Sequence, residues 1–447
     1  MNNRTIQLSA LALGVAGALA FGQAHASGFQ LKENSVKAMG RAFAGSGVAT
    51  GDASVVVNNP ATMTTFEGTT FQADVTVIDL SAEFNGGGTV ATGTGLQAPI
   101  TGDNGGNAGG VTPVPAMSLI HKFDNGVTVG AMVSAPFGLK TEYNDGWVGR
   151  YQALTSDLKT VDLTLSAAYE IVPDRFSVGV GVIYERAEAE LSKAVDFGSA
   201  LAFNLVPGFA PQSADGKAVI KGDDNNFGWL IGVNWRPTDT LAIGLSHRSE
   251  IDHDLQGTAD WTVPGNARTV LNGIGRANLF QDGRGSAKLT TPSVTSVSLA
   301  WQATDRLAVM GEYARTDWTS LREVRIDFAN PDPDSVEDFS WEATSFYSIG
   351  AEFAINDDLT LRGGFAYDET PTSIATRTPR LPDENRRWFS IGLGWDLRES
   401  FEINAAYTRI EPDTPKVDIF DASTLHTLQG EYSSDVNLFG LSAQYRF

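Results

Sequence analysis

Few residue patterns in this 447-residue chain could carry catalysis. Beyond the first 26 residues the histidines are His121, His247, His253 and His426, and none falls in an HExxH or other paired metal spacing. No G-x-S-x-G elbow places a serine on a strand-to-helix turn, and no nucleotide-binding motif is visible. Asp223-Asp224-Asn225-Asn226 is rich enough in oxygen ligands for calcium, but a solvated turn explains it more simply. The glycine-rich stretches Gly86-Gly87-Gly88 and Asp103-Asn104-Gly105-Gly106 precede no basic helix start and read as loops rather than phosphate cradles. An enzyme is therefore not expected, and neither a metal nor another cofactor is implied. Lys and Arg total 32 against 53 Asp and Glu, a net charge of −21, which weighs against nucleic acid as a partner.

The elements that must position any functional residue are strands. Arg4, the apolar run Leu8 to Phe21 and the small residues around Ala24-His25-Ala26 read as a cleavable secretory signal over residues 1–26, with the mature chain starting at Ser27. No later stretch of about 20 apolar residues could form a membrane helix. Cysteine is absent, which suits an envelope protein without disulfides. From residue 69 onward, segments of about 10 residues alternate apolar and polar side chains, as in Phe227-Trp229-Ile231-Val233-Trp235 and Phe389-Ile391-Leu393-Trp395. Short turns such as Pro173-Asp174-Arg175 and Asn356-Asp357-Asp358 join pairs of these runs, and longer mixed linkers separate the pairs. The pattern predicts an all-β fold: a transmembrane antiparallel barrel of about 14 strands. The strands start near Thr69, Val111, Val127, Leu158, Phe176, Lys217, Leu241, Ser286, Leu307, Phe339, Leu359, Arg377, Phe401 and Asp435. A soluble β-sandwich would alternate too, but would not need so many strands ending in aromatics.

Residues 27–68 break the alternation. They hold several glycines, a short helical stretch around Asn34 to Phe43, and too many apolar residues for a solvated tail. A compact segment before the first strand is expected to plug the lumen of such a barrel. The division is thus a signal (1–26), a plug (27–68) and a barrel with long outer loops (69–447).

At this point a resemblance emerges. Gly28-Phe29-Gln30-Leu31, Gly40-Arg41-Ala42-Phe43-Ala44-Gly45 and Asn59-Pro60-Ala61 resemble the N-terminal hatch of the FadL-type family of long-chain fatty acid outer-membrane transporters. Tyr184 to Ala187, His247 to Ile251, Tyr313 to Trp318 and Leu381-Pro382-Asp383-Glu384-Asn385-Arg386-Arg387-Trp388 extend it over the whole mature chain. The resemblance implies passive uptake. Substrate lands in an apolar groove between outer loops, passes to a pocket beside the hatch and leaves sideways through a kink in the third strand. Long-chain fatty acids are the expected cargo, and neutral aromatic or aliphatic hydrocarbons the alternative by the same route. A general porin, an adhesin or an outer-membrane lipase is a weaker rival.

Several residues can be set against those steps. Phe197, Leu201, Phe203, Leu205 and Phe209 follow the fifth strand, and Leu271, Ile274, Leu279 and Phe280 follow the seventh. Outer loops have no structural need for so much apolar surface, so they are candidates for ligand capture. Pro136-Phe137-Gly138 interrupts the third strand, where proline and glycine weaken a ladder, and matches the kink. Asn59-Pro60-Ala61 matches the hatch motif, and Phe29 falls where the family sets the hatch beside ligand. A carboxylate calls for a cation. Arg186 and Lys193 lie where the family has basic residues, while its basic position in the tenth strand is replaced near Thr344. The expected partners are a hydrophobic small molecule, outer-membrane lipid and, during biogenesis, the barrel-assembly machinery. The chain is expected to be monomeric in the outer membrane of a Gram-negative cell.

Overall fold

The computed structural model describes residues 28–92 and 96–447. The expected signal, residues 1–26, lies outside the described residues. Among them no helix is long and apolar enough to cross a membrane. Crossing falls to fourteen antiparallel strands: β1 (Thr69–Ala91), β2 (Val111–Lys122), β3 in two pieces (Val127–Ser134 and Gly138–Glu142), β4 (Thr155–Val172), β5 (Phe176–Asp196), β6 (Asp215–Thr238), β7 (Leu241–Arg248 and Ile251–Thr262), β8 (Gly283–Thr291 and Val294–Thr304), β9 (Leu307–Thr316), β10 (Thr344–Ala354), β11 (Leu359–Asp368), β12 (Arg386–Arg398), β13 (Phe401–Pro412) and β14 (His426–Arg446). Each pairs with its neighbours in sequence, and β14 closes on β1 from Thr70↔Arg446 to Val90↔His426. Closure pairs the strand edges around the ring apart from local breaks, the one in β3 among them, and a bilayer demands such closure because it offers no water to unpaired amides.

The outer face is apolar because the side-chain period is two. In β5, Val180, Val182 and Tyr184 point outward while Gly181, Ile183 and Glu185 are buried inside. Short turns lie at one end, together with the start of β1 and the C-terminus, where the Phe447 amide donates to the Thr69 carbonyl at 2.9 Å. The long connections gather at the other end. They carry short helices (Phe197–Phe203 and Gly265–Gly273) and a hairpin of Glu323–Phe328 with Ser335–Asp338.

Three strands begin elsewhere than their composition suggests. β10 starts at Thr344 rather than near Phe339, β12 at Arg386 rather than near Arg377, and β14 at His426 rather than near Asp435. Phe339 instead packs edge-on to Trp341 at 5.1 Å. Arg377 is held in its loop by Glu384 at 2.6 Å. β14 runs longer because β1 gives it a partner all the way to Val90.

The segment from Gly28 to Phe66 lies inside the ring and is almost wholly buried. Its helix is shorter than the expected Asn34 to Phe43, spanning Val36–Met39 with the Ser35 hydroxyl capping the Ala38 amide. A second helix covers Val55–Asn58 and a 3₁₀ turn covers Pro60–Thr65. Inward glycines make room for it. A Cβ at Gly364 would stand 2.2 Å from the Arg41 backbone, and one at Gly232 would stand 2.0 Å from Asn59 Oδ1. Ion pairs fasten the segment to the wall, with Lys37 to Glu402 at 2.7 Å and Arg41 to Glu352 at 2.8 Å.

Candidate functional site

Phe29 lies at the start of the inserted segment, buried against the space above it. Gly28 precedes it at φ +59°, and a Cβ there would meet the Trp318 ring at 2.7 Å, so glycine is required. The Gly28 amide donates to Asp383 Oδ2 at 2.9 Å, tying the start of the segment to the loop between β11 and β12. Around the Phe29 ring stand Trp318 at 4.7 Å, Trp341 at 5.7 Å and Phe137 at 6.0 Å.

Phe29 and Trp341 of this cluster line a cavity whose wall is almost entirely apolar. Leu139, Leu158, Leu255, Leu289 and Ile326 contribute from the barrel and from the hairpin between β9 and β10. A lining of this kind suits a small apolar ligand. Arg380 is the buried cation on its wall, with only 5% of its side chain exposed. Its Nε reaches Glu337 at 3.3 Å and its Nη1 reaches Ser156 Oγ at 3.2 Å.

A second cavity lies against the inserted segment and is mixed, with Lys32, Asn34, Ser246, Arg248 and Glu312 on its wall beside Leu31, Phe43 and Phe346. Behind it sits a buried ionic cluster. Arg248 reaches Asp162 at 2.6 Å and Glu185 at 2.7 Å, and Glu185 also contacts His253 at 3.0 Å and accepts from the Thr291 hydroxyl at 2.7 Å. The same guanidinium lies 5.5 Å from the centre of the Phe137 ring.

Phe137 belongs to the break in β3, and the break has a second side. β2 pairs with β3 only from Met117↔Val133 to Lys122↔Thr128, while the upper piece, Gly138–Glu142, pairs with β4 alone. Val111 to Ala116 therefore faces an unpaired seam in the wall. The Gly110 carbonyl and the Lys122 amide both bond towards β1, so the odd-numbered residues of β2 aim their backbone groups at the seam. Two of those are Pro113 and Pro115, which have no amide to offer. From inside, the inserted segment lies across the break: the Leu31 amide donates to the Pro136 carbonyl at 2.7 Å, and the Gly138 amide donates to the Phe29 carbonyl at 2.7 Å.

The residues singled out from sequence scatter. Phe29 lines the apolar cavity, and Pro136, Phe137 and Gly138 form the break beside it. Asn59, Pro60 and Ala61 form the 3₁₀ start, with Asn59 Nδ2 donating to the Val233 carbonyl at 3.0 Å and Oδ1 accepting from Ala61. In the outer loops, Phe197, Leu201, Leu271 and Phe280 pack on one another, with Phe209 against them. Phe203, Leu205 and Ile274 are exposed and Leu279 is half-buried, and none of these loop residues lines the cavity. Arg186 and Lys193 do not reach it either. Arg186 shares the outward-facing register of Val182 and Tyr184 and pairs with Glu188 at 2.8 Å and Asp223 at 3.2 Å, and Lys193 lies within electrostatic reach of Asp421. Strand parity turns Arg186 away, whereas Lys193 shares the inward register of Ala189 and Leu191 but does not line the cavity, on which Arg380 is the buried cation. Sequence reading also missed Trp341, Leu139, Pro113 and Pro115. The paired prolines were a readable signal, but the loop hairpin that brings Trp341 inward was not.

Known proteins resemble this chain in sequence and in fold. The family described as outer membrane protein transport protein (OMPP1/FadL/TodX) matches residues 17–447. Outer membrane protein P1 of Haemophilus influenzae is 28% identical over 468 residues, covering 97% of this chain and 98% of that protein. The long-chain fatty acid transport protein of Escherichia coli O6:H1 is 27% identical over 450 residues, covering 98% of each. The crystal structure of a Pseudomonas aeruginosa FadL homologue superposes with a TM-score of 0.86 at 26% identity, over 93% of this chain and 99% of the other. With a closed fourteen-strand barrel and a family match over nearly its full length, this chain belongs to the OMPP1/FadL/TodX family of outer-membrane transport proteins.

Proposed function

We propose that the protein carries hydrophobic compounds passively across the outer membrane and that its preferred cargo is a long-chain fatty acid. The observation that carries this reading is the apolar cavity on Phe29, set beside an unpaired seam in the wall. Cargo is captured by the exposed apolar side chains of the outer loops, Phe203, Leu205 and Ile274 among them. It then enters the cavity, and a shift of the inserted segment at Phe29 to Leu31 opens the way to the seam between β2 and β3. Leaving sideways keeps an apolar molecule out of the aqueous periplasm, where every exposed Å² is unfavourable. Consumption of the ligand inside the cell draws transport downhill. Residues 1–26 act as the signal, 27–68 as the hatch and 69–447 as the barrel, and the molecule works as a monomer inserted by the barrel-assembly machinery.

A neutral hydrocarbon is the second reading, favoured by a cavity wall whose exposed surface is almost wholly apolar. Binding of oleate and of toluene to the detergent-solubilised protein separates the two. Oleate bound, with affinity weakened about tenfold by Phe29→Ala, supports the first. Toluene bound alone supports the second, and binding of neither overturns transport through this cavity.

A further inference from the structure

We propose that the wall holds a second lateral opening, between β6 and β7, through which single-chain amphiphiles dissolved in the outer leaflet enter the lumen. This rests on the uptake reading above and adds a supply route from lipid to the one from water.

The ladder between β6 and β7 stops at Leu230↔Arg248 and resumes at Asp223↔Gln256. Asp224 to Trp229 and Ser249 to Leu255 lie between, outside that ladder. Their other neighbours hold: β6 stays paired with β5 from Val182↔Trp229 to Ala187↔Asp224, and Ile251 to Leu255 pair with Thr291 to Ala287 of β8. The slot therefore opens one edge of each strand. Side chains caulk it. The Ser249 amide donates to the Trp229 carbonyl at 2.9 Å, and the Trp229 amide donates to the Ser249 hydroxyl at 3.0 Å. Further towards the loops, the Phe227 amide donates to Asn226 Oδ1 at 2.8 Å, Asn226 Nδ2 donates to the Asp252 carbonyl at 2.6 Å, and the Asp254 amide donates to Asp224 Oδ2 at 3.1 Å. Ladder bonds are fixed by the backbone, but Ser249, Asn226 and Asp224 release theirs by turning to another rotamer. The slot can thus part without unzipping a ladder.

One apolar side chain plugs it. Ile251 is 1% exposed and packs with Ile183 and Leu230, and a Cβ at Gly228 would stand 2.6 Å from its Cδ1. On the outside, Phe227 and Trp229 are exposed in the lipid-facing register, and Asn226 and Asp252 beyond them are exposed and polar. The slot thus spans the level where the apolar band gives way to polar surface, which is where lipid heads lie. On the inside, Gly222 and Leu255 at its upper end line the apolar cavity, and Leu230 and Arg248 at its lower end line the second cavity. Paired strands stand about 4.8 Å apart, so parting one edge makes room for one acyl chain rather than two. Each methylene favours lipid over water, so the leaflet holds most of the supply of a long chain.

The test locks the slot in the full-length protein reconstituted into vesicles. The chain has no cysteine, so in Asn226→Cys/Asp252→Cys a short bis-methanethiosulfonate reagent links only the two sides of the slot, and a reductant unlinks them. Oleate bearing a diazirine is supplied in two ways: released inside the bilayer from a vesicle phospholipid by added phospholipase A, or offered from water on excess albumin. Irradiation at timed intervals, with label counted on the peptide that contains Phe29, reads the filling of the cavity. Linking is expected to slow filling from the bilayer at least about fivefold and filling from albumin by less than about twofold, with the first rate restored by reductant. Ser249→Ala, which removes one caulking hydroxyl, is expected to speed filling from the bilayer about threefold, and it decides the matter alone if the double variant fails to fold. Equal slowing of both supplies, or no effect of linking or of Ser249→Ala, would overturn the opening and leave uptake from water standing. No label on the Phe29 peptide of the unaltered protein from either supply would instead remove the uptake reading of this cavity, and the opening with it.

Discussion

At the scale of single residues, the inserted segment carries charges that solvent cannot reach. Burial pushes the Glu33 carboxyl up to about 7 from 4.5, and nearby backbone amides, Arg386 and Lys32 offset that only in part. A carboxyl raised in the folded state makes its stabilising contribution fully below its ordinary value and loses it as pH rises through about 7. Stability should therefore fall across that window, by at most about 3 kcal/mol for this group. Guanidinium unfolding as a function of pH reads it directly. Glu33→Gln should flatten the slope through this window, and an unchanged slope would assign it to other groups. The same argument explains why Lys37 and Arg41 are paired: a buried cation without a partner would destabilise the segment by several kcal/mol.

At the scale of elements, β2 and β3 decide where the wall is weak. Pro113 and Pro115 withhold amides from the seam, and Pro136 with Gly138 breaks the facing strand. Replacing Pro113 and Pro115 together by valine restores two donors on that edge and keeps an apolar outer face. The upper piece of β3 should then pair with β2, and oleate uptake by cells should fall at least about fivefold while equilibrium binding to the cavity stays within about twofold. Uptake unchanged in the double variant would mean that cargo leaves by another route. The loop between β11 and β12 has a comparable double duty, because it holds Arg380 at the cavity and, through Asp383, the Gly28 amide at the start of the inserted segment. Its Pro-Asp…Arg…Trp motif was visible in the sequence as a family resemblance, and Arg386 with Asp383 forms a buried pair within it.

At the scale of the whole molecule, a barrel of fourteen strands encloses a lumen that would conduct ions if it were empty. The segment from Gly28 to Phe66 fills it, packed on inward glycines and held by ion pairs to β10 and β13. In a planar bilayer the full-length protein should be nearly silent. A variant lacking residues 28–66 should open channels at least about tenfold more conducting, as a porin would. Steady large conductance from the full-length protein would make it a porin rather than a plugged transporter.

The sequence by itself determined the architecture. Period-two alternation in Phe176 to Tyr184 or Phe227 to Trp235, cut by short polar turns, has one membrane-compatible outcome, because only closure satisfies every strand edge in lipid. It also exposed the break at Pro136 to Gly138 and the misfit segment before Thr69, since proline, glycine and lost alternation are local signals. The cavity was decided by the tertiary structure. Phe29, Leu158, Leu255, Trp341 and Arg380 come from the inserted segment, two strands and two loops, and no local pattern relates positions so far apart in the chain. Parity decided the rest. Arg186 sits beside Tyr184 and Val182 in the outward register, whereas Arg380 enters the cavity because its loop, held by Thr141 and Tyr143, turns inward. A one-residue difference in register moves a side chain from lumen to lipid, and only the pairing of strands fixes it.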